Sequence, residues 1–224
     1  MLNKLSLRLK LWARSRYILA GRSILRRLGL KYVKMLEYER RLDVPIPEVV
    51  TKVPVEIKPF SAEDVSNEAF RGISLTSGED PISHDKTLSR IANGGDVCLV
   101  ATVNGEVAGY AWILLKGTNY EPALEREERF AEDEGLVYQL HVFPMFRGLG
   151  IASKLNEKGL QLLKTKGYQK AWSYVEADNI PSIKSFERVG FCPAKIITCL
   201  RIFMFRKISE QAINRTYSKV RTTC

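Results

Sequence analysis

Val137-Tyr-Gln-Leu-His-Val-Phe-Pro-Met-Phe-Arg147-Gly148-Leu-Gly150-Ile-Ala152 reads as a strand, a short turn and the opening of a helix. The first turn of a helix carries several N–H groups with no partner inside the helix. Those donors, together with the positive end of the helix dipole, suit a diphosphate. Glycines at 148 and 150 leave no side chain to hold phosphates away from the amides, and Ala152 keeps the approach small. Ile151 and Leu155 can anchor the helix on a sheet. Arg147 can add charge or brace the loop.

Around this segment the chain alternates in the manner of a mixed domain. Val55 and Ile57 start a strand, and Ser61 with Asp64 opens a helix to about Arg71. Residues 84–93 form a second short helix. Asp96–Val103 and Glu106–Lys116 are apolar strands joined by Asn104-Gly105, a strong hairpin signal. Leu136–Phe143 is the next strand, followed by a helix from Arg147 or Gly148 to Lys166, stopped by Gly167. Gln169–Glu176, a helix over 180–189 closed by Gly190, and strand material over Ile196–Phe205 complete the pattern. The stretch from Glu121 to Glu134 holds seven carboxylates and two arginines. It reads as a solvated helix or as a lid over a basic substrate.

With the later Glu176-Ala-Asp-Asn179-Ile-Pro-Ser-Ile-Lys-Ser-Phe186-Glu-Arg-Val-Gly190-Phe191, these motifs resemble the GNAT superfamily of N-acetyltransferases. Arg147, Gly150 and Ala152 satisfy that family's cofactor loop, Gln/Arg-x-x-Gly-x-Gly/Ala. The resemblance covers about residues 53–206. It implies an α/β (α+β) fold, with a mixed, mostly antiparallel central sheet splayed at the cofactor site and flanked by helices. It further implies an acyl-CoA-dependent transfer, from acetyl-CoA or another acyl-CoA to a primary amine, without metal or covalent enzyme intermediate. Backbone groups of Leu140, His141 and Val142 should pair with the pantetheine arm. The amides of Gly148, Leu149, Gly150, Ile151, Ala152 and Ser153 should hold the pyrophosphate beside Arg147. Asn179 should reach the cofactor, and it is also placed to cap the following helix.

Phe186 stands where many relatives carry a tyrosine that protonates the leaving thiolate. Tyr138 and Tyr174 are the replacement candidates for donor or relay. Tyr138 shares strand parity with Leu140 and Val142, which would turn it to the cleft, while His141 points away unless the strand bulges.

Charge separates the chain into regions. The net charge is +10 over 224 residues, of which residues 1–43 carry +9 and residues 201–224 carry +5, leaving −4 between them. Residues 1–43 are expected to form a basic amphipathic helical extension, residues 44–52 a Pro-rich linker, 53–206 the acyltransferase domain and 207–224 a basic tail. The extension can lie on an anionic membrane surface, pack on the domain or on a second subunit of a homodimer, or act as a transit peptide. No helix-turn-helix, zinc-finger or aromatic RNA-binding signature accompanies the basicity, so nucleic acid is not an expected partner. Four scattered cysteines point to reduced thiols and a cytoplasmic protein, at the inner face of the membrane if the extension binds there.

Two other functions fit parts of the pattern. Gly148-Leu-Gly150-Ile-Ala-Ser153 approaches a dinucleotide fingerprint, but Ser153 replaces the third glycine and a hairpin precedes the motif. A GNAT-shaped sensor or scaffold that binds acyl-CoA without catalysis is the second alternative, motivated by Phe186 and by the basic extension.

Overall fold

In the computed structural model, residues 29–60 and 95–213 are described. The helices expected near 61–71 and 84–93 lie outside them, as do residues 1–28 and 214–224.

Ten strands and two helices make up the described residues. In chain order they are β1 (Leu30–Arg41), β2 (Glu56–Pro59), β3 (Asp96–Val103), β4 (Glu106–Leu114), β5 (Thr118–Glu121), β6 (Arg126–Arg129), β7 (Glu134–Val142), α1 (Ile151–Thr165), β8 (Lys170–Glu176), α2 (Ile180–Glu187), β9 (Cys192–Ile202) and β10 (Phe205–Ala212). Eight strands form one sheet in the order β10-β9-β1-β8-β7-β4-β3-β2, and β5 and β6 pair separately. Within the large sheet only β7 and β8 run parallel.

The N-terminal region departs most from expectation. Residues 30–41 are a central strand between β8 and β9, not the end of a helical extension. Leu, Lys and Arg favour helix locally, but alternation decides here. Val33 and Met35 pack under one face while Tyr38, 1% exposed, packs on the other. Arg40 is buried, and its guanidinium donates to Gly190 O at 3.2 Å and Pro45 O at 2.5 Å. Burial pushes its pKa below the usual arginine range. Residues 44–52 are not a free connector either. Val49 is buried and its N–H donates to Glu157 Oε2 at 2.7 Å, while Lys52 N–H donates to Leu149 O at 3.0 Å.

The expected β3–β4 hairpin is present, and its Asn104-Gly105 turn has φ of 52° and 82°. α1 buries Ile151, Leu155, Leu160 and Leu163, each at most 1% exposed, against β4 and β7. Fully burying such side chains stabilises by about 1.5–3 kcal/mol each. The helix starts at Ile151, later than Arg147 or Gly148, because Gly148 and Gly150 adopt φ of 79° and 91°.

Two further differences concern the other face. The acidic stretch is neither a helix nor bare surface: β5 and β6 form a hairpin whose Leu124 is fully buried beside Val33, Met35, Ile197 and Cys199. The last strand material divides into β9 and β10, so residues 207–212 belong to the sheet rather than to a tail. Cys98 and Cys199 are buried and not disulfide-bonded.

Candidate functional site

β7 and β8 set the site by separating. They pair from Glu134↔Lys170 to Leu136↔Trp172, and both continue past that point without further pairing to each other. The divergence coincides with a bulge opposite β4. Trp112 partners Tyr138 and Tyr110 partners His141, so Gln139 and Leu140 together face Ala111. Gln139 adopts φ of 47°, and the extra residue bends the strand out of register.

The bulge reverses the expected parity. Tyr138 does not share a face with Leu140 and Val142; it packs with Tyr110 and Trp112, whereas Leu140 and Val142 pack on the helix-side core. His141 joins the face of Tyr138 and stacks on Tyr110 with centroids 5.6 Å apart, with Phe143 edge-on at 5.2 Å. Its Nε2 is buried and makes no hydrogen bond among the described residues. Burial, and secondarily the charge of Arg147, push the His141 pKa below its ordinary value.

Backbone directions also differ along β7. A Cβ on Gly109 would lie 2.5 Å from His141 O, so that carbonyl is aimed at β4, away from β8. Phe143 N–H donates to Ala108 O at 3.0 Å, again on the β4 side. Alternation therefore turns the Val142 backbone groups toward the gap left by β8. Val142 O is engaged there by Arg147 Nε at 2.9 Å, which braces the turn against its own strand.

At the mouth of the gap, the turn after Pro144–Phe146 delivers the chain into α1. None of the N–H groups of Gly148, Leu149, Gly150, Ile151, Ala152 and Ser153 donates to an acceptor among the described residues. A Cβ on Gly148 would meet nothing within 4 Å, so the space over that residue is open. No acidic side chain stands in the first turn of α1. Tethered from behind by Lys52 N–H on Leu149 O, this corner is a fixed set of donors with room for an anion. On the other lip, Asn179 caps α2, its Oδ1 accepting from Ser182 N–H at 3.2 Å. The cap uses only the carbonyl oxygen; Nδ2 donates to nothing among the described residues. Phe186 is buried between Tyr38 and Phe191 and supplies no polar atom to the gap.

The sheet face opposite α1 carries a second cavity. A cleft of about 440 Å³ is lined by Trp172 and Tyr174 of β8, Glu37 of β1, Glu134 of β7, Arg126 to Phe130, Lys195 and Glu210. The Tyr174 hydroxyl donates to Glu37 Oε2 at 3.3 Å, and Lys195 Nζ lies 3.3 Å from Glu37 Oε1 and 3.5 Å from Glu210. Arg126 joins Glu128 to Glu210, reaching the latter at 2.6 Å. Burial first, then the charges of Glu128 and Glu37, hold the Tyr174 pKa far above the ordinary phenol range. Tyr174 thus remains a protonated donor. Glu37 and Glu210 are not legible as site residues in the sequence, because 1–43 reads as a helical extension and 207–224 as a tail; Lys195 stands just before the expected last strand and carries no motif. Alternation of Lys31, Val33, Met35 and Glu37 against Tyr32 and Lys34 was the signal that could have found Glu37.

Among the described residues no cluster of His, Cys, Asp or Glu is arranged to hold a metal, and no helix is long and apolar enough to cross a membrane.

Comparison with known proteins bears on this geometry. The chain is 28% identical over 194 residues to a mycothiol acetyltransferase of Acidothermus cellulolyticus, an alignment covering 82% of this chain and 59% of that protein. It is 28% identical over 193 residues to the mycothiol acetyltransferase of Streptomyces coelicolor, covering 82% and 58%. The chain thus spans under two thirds of these relatives' length. The structure of a GCN5-related N-acetyltransferase from Sphaerobacter thermophilus superposes with a TM-score of 0.57 at 17% identity, covering 86% of this chain and 57% of that one. That likeness establishes the fold. The family model described as acetyltransferase (GNAT) family matches residues 63–191, which take in β3 through α2, the parting strands and the glycine turn. By that match the chain belongs to the GNAT acetyltransferase family.

Proposed function

We propose that this chain transfers an acetyl group from acetyl-CoA to a primary amine by direct attack, with no covalent enzyme intermediate. The observation that carries the reading is the run of amides from Gly148 to Ser153, without acceptors among the described residues, at the mouth of the β7–β8 gap. Such a cradle, with open space over Gly148, fits the diphosphate of coenzyme A. Arg147 adds positive charge there. Val142 N–H, turned into the gap, is the backbone donor assigned to the pantetheine arm and the thioester oxygen, and Asn179 Nδ2 approaches from the opposite lip.

Acetyl-CoA brings an activated carbonyl as its thioester. The amine must arrive neutral, because an ammonium has no lone pair to attack. As the C–N bond forms the C–S bond breaks; the nitrogen gives up a proton and the thiolate sulfur takes one. Tyr174, kept protonated beside Glu37, is assigned as donor or relay to the sulfur, with Tyr138 on the facing lip as its partner.

The 440 Å³ cleft is the assigned acceptor side. Glu127 lines it and suits a cationic acceptor before its proton is removed, whereas Glu128 is held by Arg126. Glu125 belongs to the same acidic stretch but is spent on Lys31 and Arg201, at 2.9 and 3.4 Å. Neutralising Glu127 is therefore expected to raise the acceptor KM, and neutralising Glu125 is not.

The test is thiol release from acetyl-CoA across a panel of amines: amino sugars, polyamines, peptide N-termini, lysine and mycothiol-related compounds, the last prompted by the names of the relatives. Release that requires both amine and enzyme supports the reading. Tight acetyl-CoA binding with no release for any amine would favour the sensor alternative.

A further inference from the structure

We infer that the β9–β10 hairpin tip and the sheet face behind it form a docking surface for an anionic lipid bilayer. The turn joining the two strands is Ile202-Phe203-Met204-Phe205, where Ile202 and Phe205 are register partners. Phe203, Met204 and Phe205 are 71%, 88% and 77% exposed. Turns of this kind favour glycine, asparagine or aspartate, and Phe203 adopts φ of 53°, a conformation that costs a residue with a side chain. Three large apolar side chains in water at a strained turn contribute nothing to the packed core of this fold. Their value lies outside it.

The apolar surface continues inward from the tip. Tyr32 partners Leu200 across β1 and β9, and register partners share a face. Tyr32, Leu200 and Ile202 are 61%, 39% and 43% exposed, so the outer face of this corner is apolar up to the tip. Its rim is cationic. Lys207 partners Leu200 on the same face, and Lys34 lies two residues beyond Tyr32; both are exposed.

Gly29 is held at the same place. Phe203 N–H donates to Gly29 O at 2.7 Å, which pins the first described residue to the tip. Residues 1–28 contain eight Lys or Arg and no Asp or Glu. That charge directly precedes, in sequence, a residue held at the exposed apolar tip. This pairing fits a surface that is negative outside and apolar beneath, with Lys and Arg on headgroups and Phe and Met below them. A second copy of this chain would bring the same positive charge to the contact and is disfavoured by like-charge repulsion.

The experiment uses the full chain with vesicles of phosphatidylcholine alone or with 30% phosphatidylglycerol, about that proportion being enough to give a negative surface potential. Flotation is compared for the wild type and for Phe203→Ser/Met204→Ser/Phe205→Ser, which leaves net charge unchanged. The wild type should float with anionic vesicles and not with neutral ones, and the triple variant should bind at least about tenfold more weakly, since each buried apolar group adds to partition. A Met204→Trp variant should gain fluorescence that brominated lipid quenches. Unchanged circular dichroism and acetyl-CoA binding in the triple variant show that it folds. The inference is overturned if the triple variant floats as the wild type does, since the charged segment alone would then suffice. It is equally overturned if neutral and anionic vesicles bind alike, or if the substitutions abolish dimerisation with no vesicle binding in either protein.

Discussion

Glu37 of β1 and Tyr174 of β8 are register partners, and the Tyr174 hydroxyl donates to Glu37 Oε2 at 3.3 Å. The contact couples a strand that lies outside the family match to the lip of the gap at which transfer is proposed. On that proposal, Tyr174→Phe removes a proton donor while keeping the ring. The expected result is a fall in kcat of about 10²-fold, at the lower end of general acid–base effects, with little change in the KM for acetyl-CoA. A merely structural hydroxyl would instead lower stability by about 1 kcal/mol and leave kcat intact. Steady-state kinetics together with a melting curve separate these outcomes.

Gly148 is the position at which cofactor binding can be tested apart from folding. Its φ of 79° makes alanine costly, by roughly 1–2 kcal/mol, but the added methyl meets nothing within 4 Å. Gly148→Ala should therefore fold, with a slightly lower Tm. If phosphates come close to these amides, the methyl holds them off. Loss of even one charge-assisted hydrogen bond, about 1.5–3 kcal/mol, weakens coenzyme A binding by at least about tenfold. Unchanged affinity by calorimetry would remove the diphosphate from this corner.

These two residues also mark what sequence could and could not give. The glycine turn was readable because its chemistry is local: strand, two glycines and helix are contiguous, and the unpaired amides follow from helix geometry. The β3–β4 hairpin was readable for the same reason. Glu37 was not, because β1 pairs with strands about 140 and 160 residues away, and its Lys- and Arg-rich composition satisfies helix propensity equally well. The face of Tyr138 was misjudged because one inserted residue, Gln139 at φ 47°, inverts every later side chain in a pattern of period two.

Glu157 of α1 ties the N-terminal segment to the glycine turn. Only 2% exposed, it accepts from Val49 N–H at 2.7 Å, Lys154 Nζ at 2.9 Å and Gln161 Nε2 at 2.9 Å. Glu157→Ala leaves the Val49 amide buried without an acceptor, whereas Lys154, partly exposed, can turn to water. The expected cost is about 2–3 kcal/mol rather than the larger figure for a fully buried pair. For a chain of this size that is a Tm lower by roughly 5–10 °C. Glu157→Gln keeps an acceptor for Val49 and should lose distinctly less. Because Lys52 in the same segment holds Leu149, the alanine variant should also bind coenzyme A more weakly, and equal affinity in both variants would uncouple the segment from the turn.

His141 gives the pH dependence. Its folded pKa lies below the ordinary value, first through burial and then through Arg147, and its Nε2 has no partner among the described residues. The unfolded chain binds its proton near pH about 6.5. Below that point the unfolded state gains a proton that the folded state resists, so the His141 contribution to stability is complete above about pH 6.5 and is lost as pH falls through it. His141→Phe keeps a ring against Tyr110 and Phe143 and should flatten the acid limb of a plot of stability against pH. With only two histidines in the chain, proton titration by NMR assigns the midpoint directly once the variant has removed one resonance. The midpoint should lie under about 6.5 and rise in Arg147→Ala, where a neighbouring positive charge is gone. A midpoint at or above the free value, or one indifferent to Arg147, would mean that this imidazole meets water and is not the neutral, dry group that the bulge in β7 turns inward.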